Sequence, residues 1–207
     1  MARVWRYISF ALRFGASLLM VSVLSPAIDP PNGNPAFTTL VSSLEGYPSI
    51  VIWKSQYTLT LYKGDAPVKT YRAVFGRGYA DGDKERTGDK RTPEGEFYVC
   101  SMNHSRRFYK FLGLSYPGLK HAQSGLRKGF ITLQQYIDIE KAVTEKRQPP
   151  WDTALGGAVG IHGRVLGDPL GAGARRNWTD GCIALTNADM DELFSVVSIG
   201  TPVIILP

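Results

Sequence analysis

Ile50-Val51-Ile52-Trp53-Lys54, a break at Ser55-Gln56, and Tyr57-Thr58-Leu59-Thr60-Leu61-Tyr62 form the stretch that decides the fold class. Both runs are rich in β-branched and aromatic residues with period-two patterning, and a short polar break between such runs predicts a hairpin. Lys63-Gly64-Asp65 marks the next turn, and Val68 to Phe75 reads as a third strand ending at Gly76 and Gly78.

Working toward the C-terminus, Tyr79 to Arg91 is a polar loop carrying four acids, read either as solvated or as a rim touching substrate. Arg91-Thr92-Pro93-Glu94-Gly95-Glu96-Phe97 has the chemistry of a turn leading into a strand over Phe97 to Met102. Arg106 to Pro117 carries a further strand whose register the imperfect alternation does not set. Ile131 to Arg147 is predicted as a helix, capped by Thr132 with Gln135 three residues on and stopped by Pro149-Pro150. Ala158 to Ile161 is a short strand delivering His162. Thr186 is placed to cap a last helix, with Asp189 completing a capping box, and Thr201 to Leu206 closes the chain as a strand. About seven to nine short strands with two or three helices define a mostly β domain, a sandwich or open barrel.

Toward the N-terminus, residues 28–46 are a Pro/Gly/Asn-rich linker, so the domain is placed at 47–207. Residues 1–27 carry Arg3, Arg6 and Arg13 but no acid, then the apolar run Phe14 to Leu24, then small residues ahead of a cleavage point after Ala27. That order is expected of a secretory signal, with an uncleaved membrane anchor as the alternative, and predicts export to the periplasm or cell envelope. Membrane contact is then confined to the N-terminal segment. The uncharged run Phe14 to Ile28 is 15 residues, short of the roughly 20 that span a bilayer. Without the three arginines, 21 basic residues face 18 acidic ones, and the net charge falls from +6 to +3. So small an excess, with no basic helix or nucleic-acid motif, excludes a nucleic-acid partner.

The chemistry concentrates late in the chain. Ile161-His162-Gly163 is followed, across a loop containing Gly167, Gly171 and Gly173, by Trp178-Thr179-Asp180-Gly181-Cys182-Ile183-Ala184-Leu185. An imidazole able to take a thiol proton, with a cysteine in a small-residue turn, is the requirement for nucleophilic thiol catalysis. Gly181 leaves the backbone N–H groups near Cys182 open to an oxyanion. Two readings of the cysteines stand: Cys182 as a free nucleophile with Cys100 as a strand residue, or a Cys100–Cys182 disulfide. Two distant cysteines with scattered His104 and His121 match no metal site, and no nucleotide fingerprint occurs, so neither metal nor cofactor is expected.

The His-Gly and Thr-x-Gly-Cys-Ile segments resemble the catalytic signature of the L,D-transpeptidase (YkuD) domain family. Upstream, Lys54 to Lys63 resembles the family's opening hairpin, Thr92-Pro93-Glu94-Gly95 its Thr-Pro-x-Gly turn, and Ser115-Tyr116-Pro117 its Ser-Tyr-Pro segment. The resemblance covers about residues 48 to 206. It implies a cell-wall enzyme, involved in cell-wall biogenesis and cell shape, whose cysteine attacks the peptidoglycan stem peptide at the carbonyl of the diaminopimelate L-centre. D-alanine leaves, and the thioester passes to an amine or to water. By the same resemblance Cys182 is the nucleophile, His162 the base, and the Gly181 and Cys182 N–H groups the oxyanion donors. Thr179 orients the site, Gly163 keeps room beside the base, and a backbone carbonyl often serves as the third member. Where the family usually has arginine after Gly-Cys-Ile, this chain has Ala184, in a Gly-Cys-Ile-Ala-Leu-Thr-Asn form similar to the YafK-like branch, which includes hydrolases that release wall-linked proteins. Arg164, Arg175, Arg176 and Trp178 are the candidates for binding the stem in its place. A transferase, a hydrolase of the carboxypeptidase or amidase type, and a catalytically silent wall-binding module all remain open at this stage.

Overall fold

The computed structural model describes residues 46–105, 107–164 and 177–207. The expected leader at 1–27 and nearly all of the linker therefore lie outside the described residues, as do Arg175 and Arg176.

The opening hairpin forms as read. Strand β1 (Pro48–Trp53) pairs antiparallel with β2 (Thr58–Lys63), and its register sets Ile50 opposite Leu61 and Ile52 opposite Leu59. These four side chains share one face and are all buried, so cross-strand packing fixes the register that the alternation proposes. Strand β3 (Ala66–Arg72) adds to β2 with an irregularity at Leu61/Tyr62. Strands β4 (Gly95–Ser105) and β5 (Tyr109–Leu114) form a second antiparallel pair. The short β6 (Gly160–His162) and β7 (Ile183–Ala184) and the C-terminal β8 (Pro202–Leu206) complete the sheet.

The spatial order is β3-β2-β1-β8-β4-β5-β6-β7, one eight-stranded mixed sheet curled into a half-barrel, which resolves the choice between sandwich and open barrel in favour of the latter. Its two ends meet. Val74, just beyond β3, exchanges both backbone hydrogen bonds with Ala184 of β7, at 3.0 and 2.8 Å. The curl brings the chain after the third strand against the cysteine turn and encloses the main core, which includes Phe75, Leu112, Tyr116, Ile161 and Ile183.

Three helices are described. Helix α1 (Leu119–Arg127) is absent from the sequence reading, because Gly118 stands at its N-cap without a side-chain cap and few of its residues are strongly apolar. Helix α2 (Leu133–Thr144) carries the full reciprocal capping box of Thr132 and Gln135, and is shorter at both ends than the predicted Ile131 to Arg147. Helix α3 (Asn187–Val196) is capped by Thr186, which accepts from the Asp189 N–H at 3.1 Å. The expected box is only half made, since the Asp189 carboxylate accepts from the Thr186 hydroxyl itself at 2.6 Å. Helices α1 and α2 pack over a small second core of Ala122, Ile131, Ile139 and Leu155. No helix of the described residues is long and apolar enough to cross a membrane.

Candidate active site

Strand pairing does the work that sequence distance obscures. Strands β6 and β7 run parallel with Ile161 beside Ile183 and His162 beside Ala184, so the histidine and the cysteine turn are lateral neighbours in one sheet. Because strand side chains alternate between faces, His162 and Ala184 share a face, while Ile161 and Ile183 point into the core.

His162 is buried, and its Nδ1 lies 2.6 Å from the carbonyl oxygen of Gly163. That contact requires Nδ1–H to donate, which leaves Nε2 as the lone-pair nitrogen. Phe108 stacks on the ring at 4.3 Å between centroids, and Trp178 meets it edge-on at 5.6 Å. Burial lowers the imidazole pKa to about 4; the Gly163 carbonyl opposes this and the Arg107 charge adds to it. The imidazole is therefore neutral at physiological pH.

Cys182 is half-buried and its Sγ donates to the Ala158 carbonyl oxygen at 3.6 Å. Ala158 occupies the left-handed backbone region with φ 50°, a conformation that is costly for a residue with a Cβ. Among the described residues no hydrogen bond joins Sγ to His162. Burial pushes the thiol up to about 11, against the Gly160 N–H and the Lys84 charge, which favour the thiolate, and Asp180, which does not. The resting pair is a neutral thiol and a neutral imidazole, not an ion pair.

The turn before Cys182 is closed by Thr179. Its hydroxyl donates to the Cys182 carbonyl at 2.7 Å and accepts from the Gly181 N–H at 3.2 Å. The Gly181 N–H, expected as an oxyanion donor, is held by Thr179, whereas the Cys182 N–H has no hydrogen-bond partner among the described residues. Gly181 is needed instead for its backbone, with φ 134° and only 2.8 Å between the place a Cβ would occupy and the Arg91 carbonyl oxygen. Gly163 is likewise a close-approach position, where a Cβ would stand 2.5 Å from Asn187 Oδ1.

Of the proposed substrate contacts, Trp178 and Arg164 line a small cavity of about 80 Å³ with Arg72, Val74 and Ala184, the last of these paired with His162. Sequence reasoning missed Phe108, Asn187, Asn177 and Lys84. Asn187 Oδ1 accepts from the Arg164 N–H at 2.7 Å and ties the segment after His162 to helix α3. Asn177 accepts from the Phe75 N–H at 2.8 Å and donates to the Tyr57 hydroxyl at 3.2 Å, fixing the entry to the cysteine turn. A signal existed only for Asn187, which directly follows the cap Thr186. Lys84 sits in the loop read as solvated or as a rim, yet is buried. Cys100 and Cys182 are both free thiols, so the disulfide alternative is not what this fold forms.

Residues 48–205 match the profile of the L,D-transpeptidase catalytic domain (YkuD). The chain therefore belongs to this family of L,D-transpeptidase-type enzymes. Among solved structures it is similar to the helical cell shape determining protein Pgp2 from Campylobacter jejuni, with 18% identity, a TM-score of 0.50, and coverage of 83% of this chain and 54% of that one. It is also similar to the L,D-transpeptidase from Xylanimonas cellulosilytica, with 17% identity, a TM-score of 0.46, and coverage of 78% and 61%. For L,D-transpeptidase 1 from Mycobacterium tuberculosis the values are 16%, 0.43, 78% and 62%. The chain thus spans about half to three-fifths of the length of the structures it matches. Among curated proteins, no similar sequence is found.

Proposed function

We propose that the chain is an exported cysteine acyltransferase of the L,D-transpeptidase type, acting on peptidoglycan stem peptides that contain diaminopimelate. The observation that carries this reading is the His162 arrangement: a neutral imidazole with Nδ1–H fixed on the Gly163 carbonyl, on the strand paired with the one Cys182 enters. Family membership supports the substrate class, and the arginine-then-apolar leader supports export.

In the proposed reaction the thiol turns from the Ala158 carbonyl toward His162 Nε2. As Sγ attacks the stem carbonyl, the S–H bond breaks, its proton passes to Nε2, and the carbonyl electron pair moves onto oxygen, facing the Cys182 N–H. Collapse expels D-alanine, whose nitrogen takes the proton from Nε2. A thioester on Cys182 remains. An amine acceptor, deprotonated by His162, then attacks it and regenerates the thiol. With a thiol near 11 and an imidazole near 4, proton transfer belongs with the attack rather than before it.

One observation favours a second reading, in which water is the acceptor and the product is a shortened stem or a released wall protein. Ala184 stands on the reacting face where the family's arginine is usual, and the neighbouring cavity is small. A role in cell shape extends either reading, by analogy with the shape-determining protein that has this fold.

Incubating the mature protein and its Cys182→Ala variant with tetrapeptide muropeptides, followed by mass spectrometry, tests the proposal. Cross-linked or exchanged products are expected of the transferase, and shortened stems of the hydrolase. No Cys182-dependent change would leave the wall-binding module as the remaining reading.

A further inference from the structure

A buried ion pair lies directly behind the nucleophile turn. Lys84 is buried, and its Nζ bonds to Asp89 Oδ1 at 2.6 Å and to the Arg86 carbonyl oxygen at 3.0 Å. The same Nζ is 3.8 Å from the place a Cβ on Gly181 would occupy, so the ammonium abuts the residue preceding Cys182. Asp89 is itself pinned by the N–H groups of Glu85, Arg86 and Arg91, at 2.8, 3.0 and 3.0 Å. The ammonium thus has little freedom to move away.

Taking an ammonium and a carboxylate out of water costs several kcal/mol per ion, and such pairs are often no more stabilising than apolar residues of the same volume. Stability alone is a weak reason for this pair to sit there. A fixed positive charge behind a sulfur that must lose its proton as it attacks, next to a carbonyl oxygen that must become an oxyanion, has a use that an apolar side chain lacks.

We propose that Lys84 is a positioning residue of the active site: held by Asp89 beneath Gly181, its ammonium stabilises the negative charge that develops on Cys182 and on the oxyanion at the Cys182 N–H. This rests on the acyl-transfer reading for the oxyanion, but not for the thiol. The direction of its action is supported by the thiol, which Lys84 shifts toward ionisation. Several other charged groups surround the pair: Arg86 and Arg91 bond to Asp89 through their backbone N–H groups, Asp83 is bonded to His121 and Lys120, and Glu85 to Lys128. Asp83 and Glu85 lie with Asp89 near Tyr116, whose ring faces the Lys84 ammonium at 5.9 Å. Asp180, exposed and paired with Arg77, acts on the thiol from the solvent side.

The test is the pH dependence of Cys182 alkylation by iodoacetamide in the full chain, read by peptide mass so that Cys100 is counted separately. This needs no peptidoglycan, so its outcome is separate from that of the muropeptide assay. Lys84→Met is expected to slow alkylation of Cys182 at pH 7 about threefold to tenfold and to move the rate profile toward higher pH. Lys84→Arg should retain most of the rate, and Asp89→Asn, which leaves the ammonium without its counter-charge, should exceed the parent rate and move the profile toward lower pH. Should Lys84→Met not fold, Asp89→Asn decides: a profile displaced toward lower pH supports the proposal, and an unmoved or slowed one overturns it. A purely structural pair predicts that Lys84→Met and Asp89→Asn lower the melting temperature together and leave the pH profile unmoved. That result, or equal slowing in both, would overturn the proposal.

Discussion

At the scale of single residues, the proposed chemistry depends on two neutral groups whose ordinary ionisation has been displaced in opposite directions. His162 takes up a proton only near pH 4, so the acidic limb of kcat/KM on a stem peptide is expected near that value rather than near 6.5. His162→Asn should lower kcat by about a hundredfold or more. The same shift has a sign for stability. Below the ordinary imidazole value the unfolded chain binds a proton that the folded chain refuses, so His162 contributes a loss of stability as the pH falls from about 6.5 to about 4. In His162→Asn this part of the pH dependence of urea unfolding should be absent. Gly181→Ala tests a different demand. A Cβ there meets the Arg91 carbonyl oxygen at a backbone φ of 134°. The variant is expected to lose about 1–3 kcal/mol in chemical denaturation, together with most of its activity.

At the scale of elements, short strands and caps place these residues. Strand β6 is only three residues long, yet it fixes His162 because β5 pairs with it on one side and β7 on the other. Helix α3 contributes through Asn187, whose side-chain Oδ1 accepts from the Arg164 N–H in the segment after the histidine. Asn187→Ala should therefore reduce kcat more than it raises KM, measured by steady-state kinetics, since it loosens the base without touching the stem. Helix α2 stands apart from the site. Thr132→Ala removes its reciprocal capping box and should cost about 1 kcal/mol in thermal unfolding, with turnover unchanged. The capped helices are the ones that the sequence announces. Thr132 and Gln135, and Thr186 and Asp189, have local spacing that local hydrogen bonds then satisfy. Helix α1 begins at a glycine and gives no such notice.

At the scale of the whole molecule, helix α1 and the loop before β4 are joined by a half-buried carboxylate, Asp83. Burial pushes the Asp83 carboxyl up, but His121, Lys120 and the Glu94 N–H outweigh it and hold it well below the usual carboxylate range. Asp83 thereby links helix α1 to the start of the β4 turn, through contacts of 3.2, 2.8 and 2.7 Å. A depressed carboxyl contributes stability that is complete above its ordinary value of 3.8 and is lost as the pH falls through the folded value. Asp83→Asn should destabilise the fold by about 2 kcal/mol at pH 7 and by less on acidification, read from urea midpoints across pH.

The sequence by itself determined the hairpin, the capped ends of two helices and the mostly β class, and it singled out His162 and Cys182 as the candidate pair, because each of these is written in local spacing. Period-two patterns, a cap with its partner three residues on, and a histidine and cysteine each beside glycine are all short-range signals. Only the tertiary structure decided that Val74 closes the sheet on Ala184, that Gly181 gives its N–H to Thr179, that Phe108 stacks on the base, and that Lys84 is buried behind the nucleophile. These contacts join residues brought together by the curl of the sheet or by a turn folding on itself. Which donor meets which acceptor there depends on how strands far apart in the chain are laid side by side, and no local pattern encodes it.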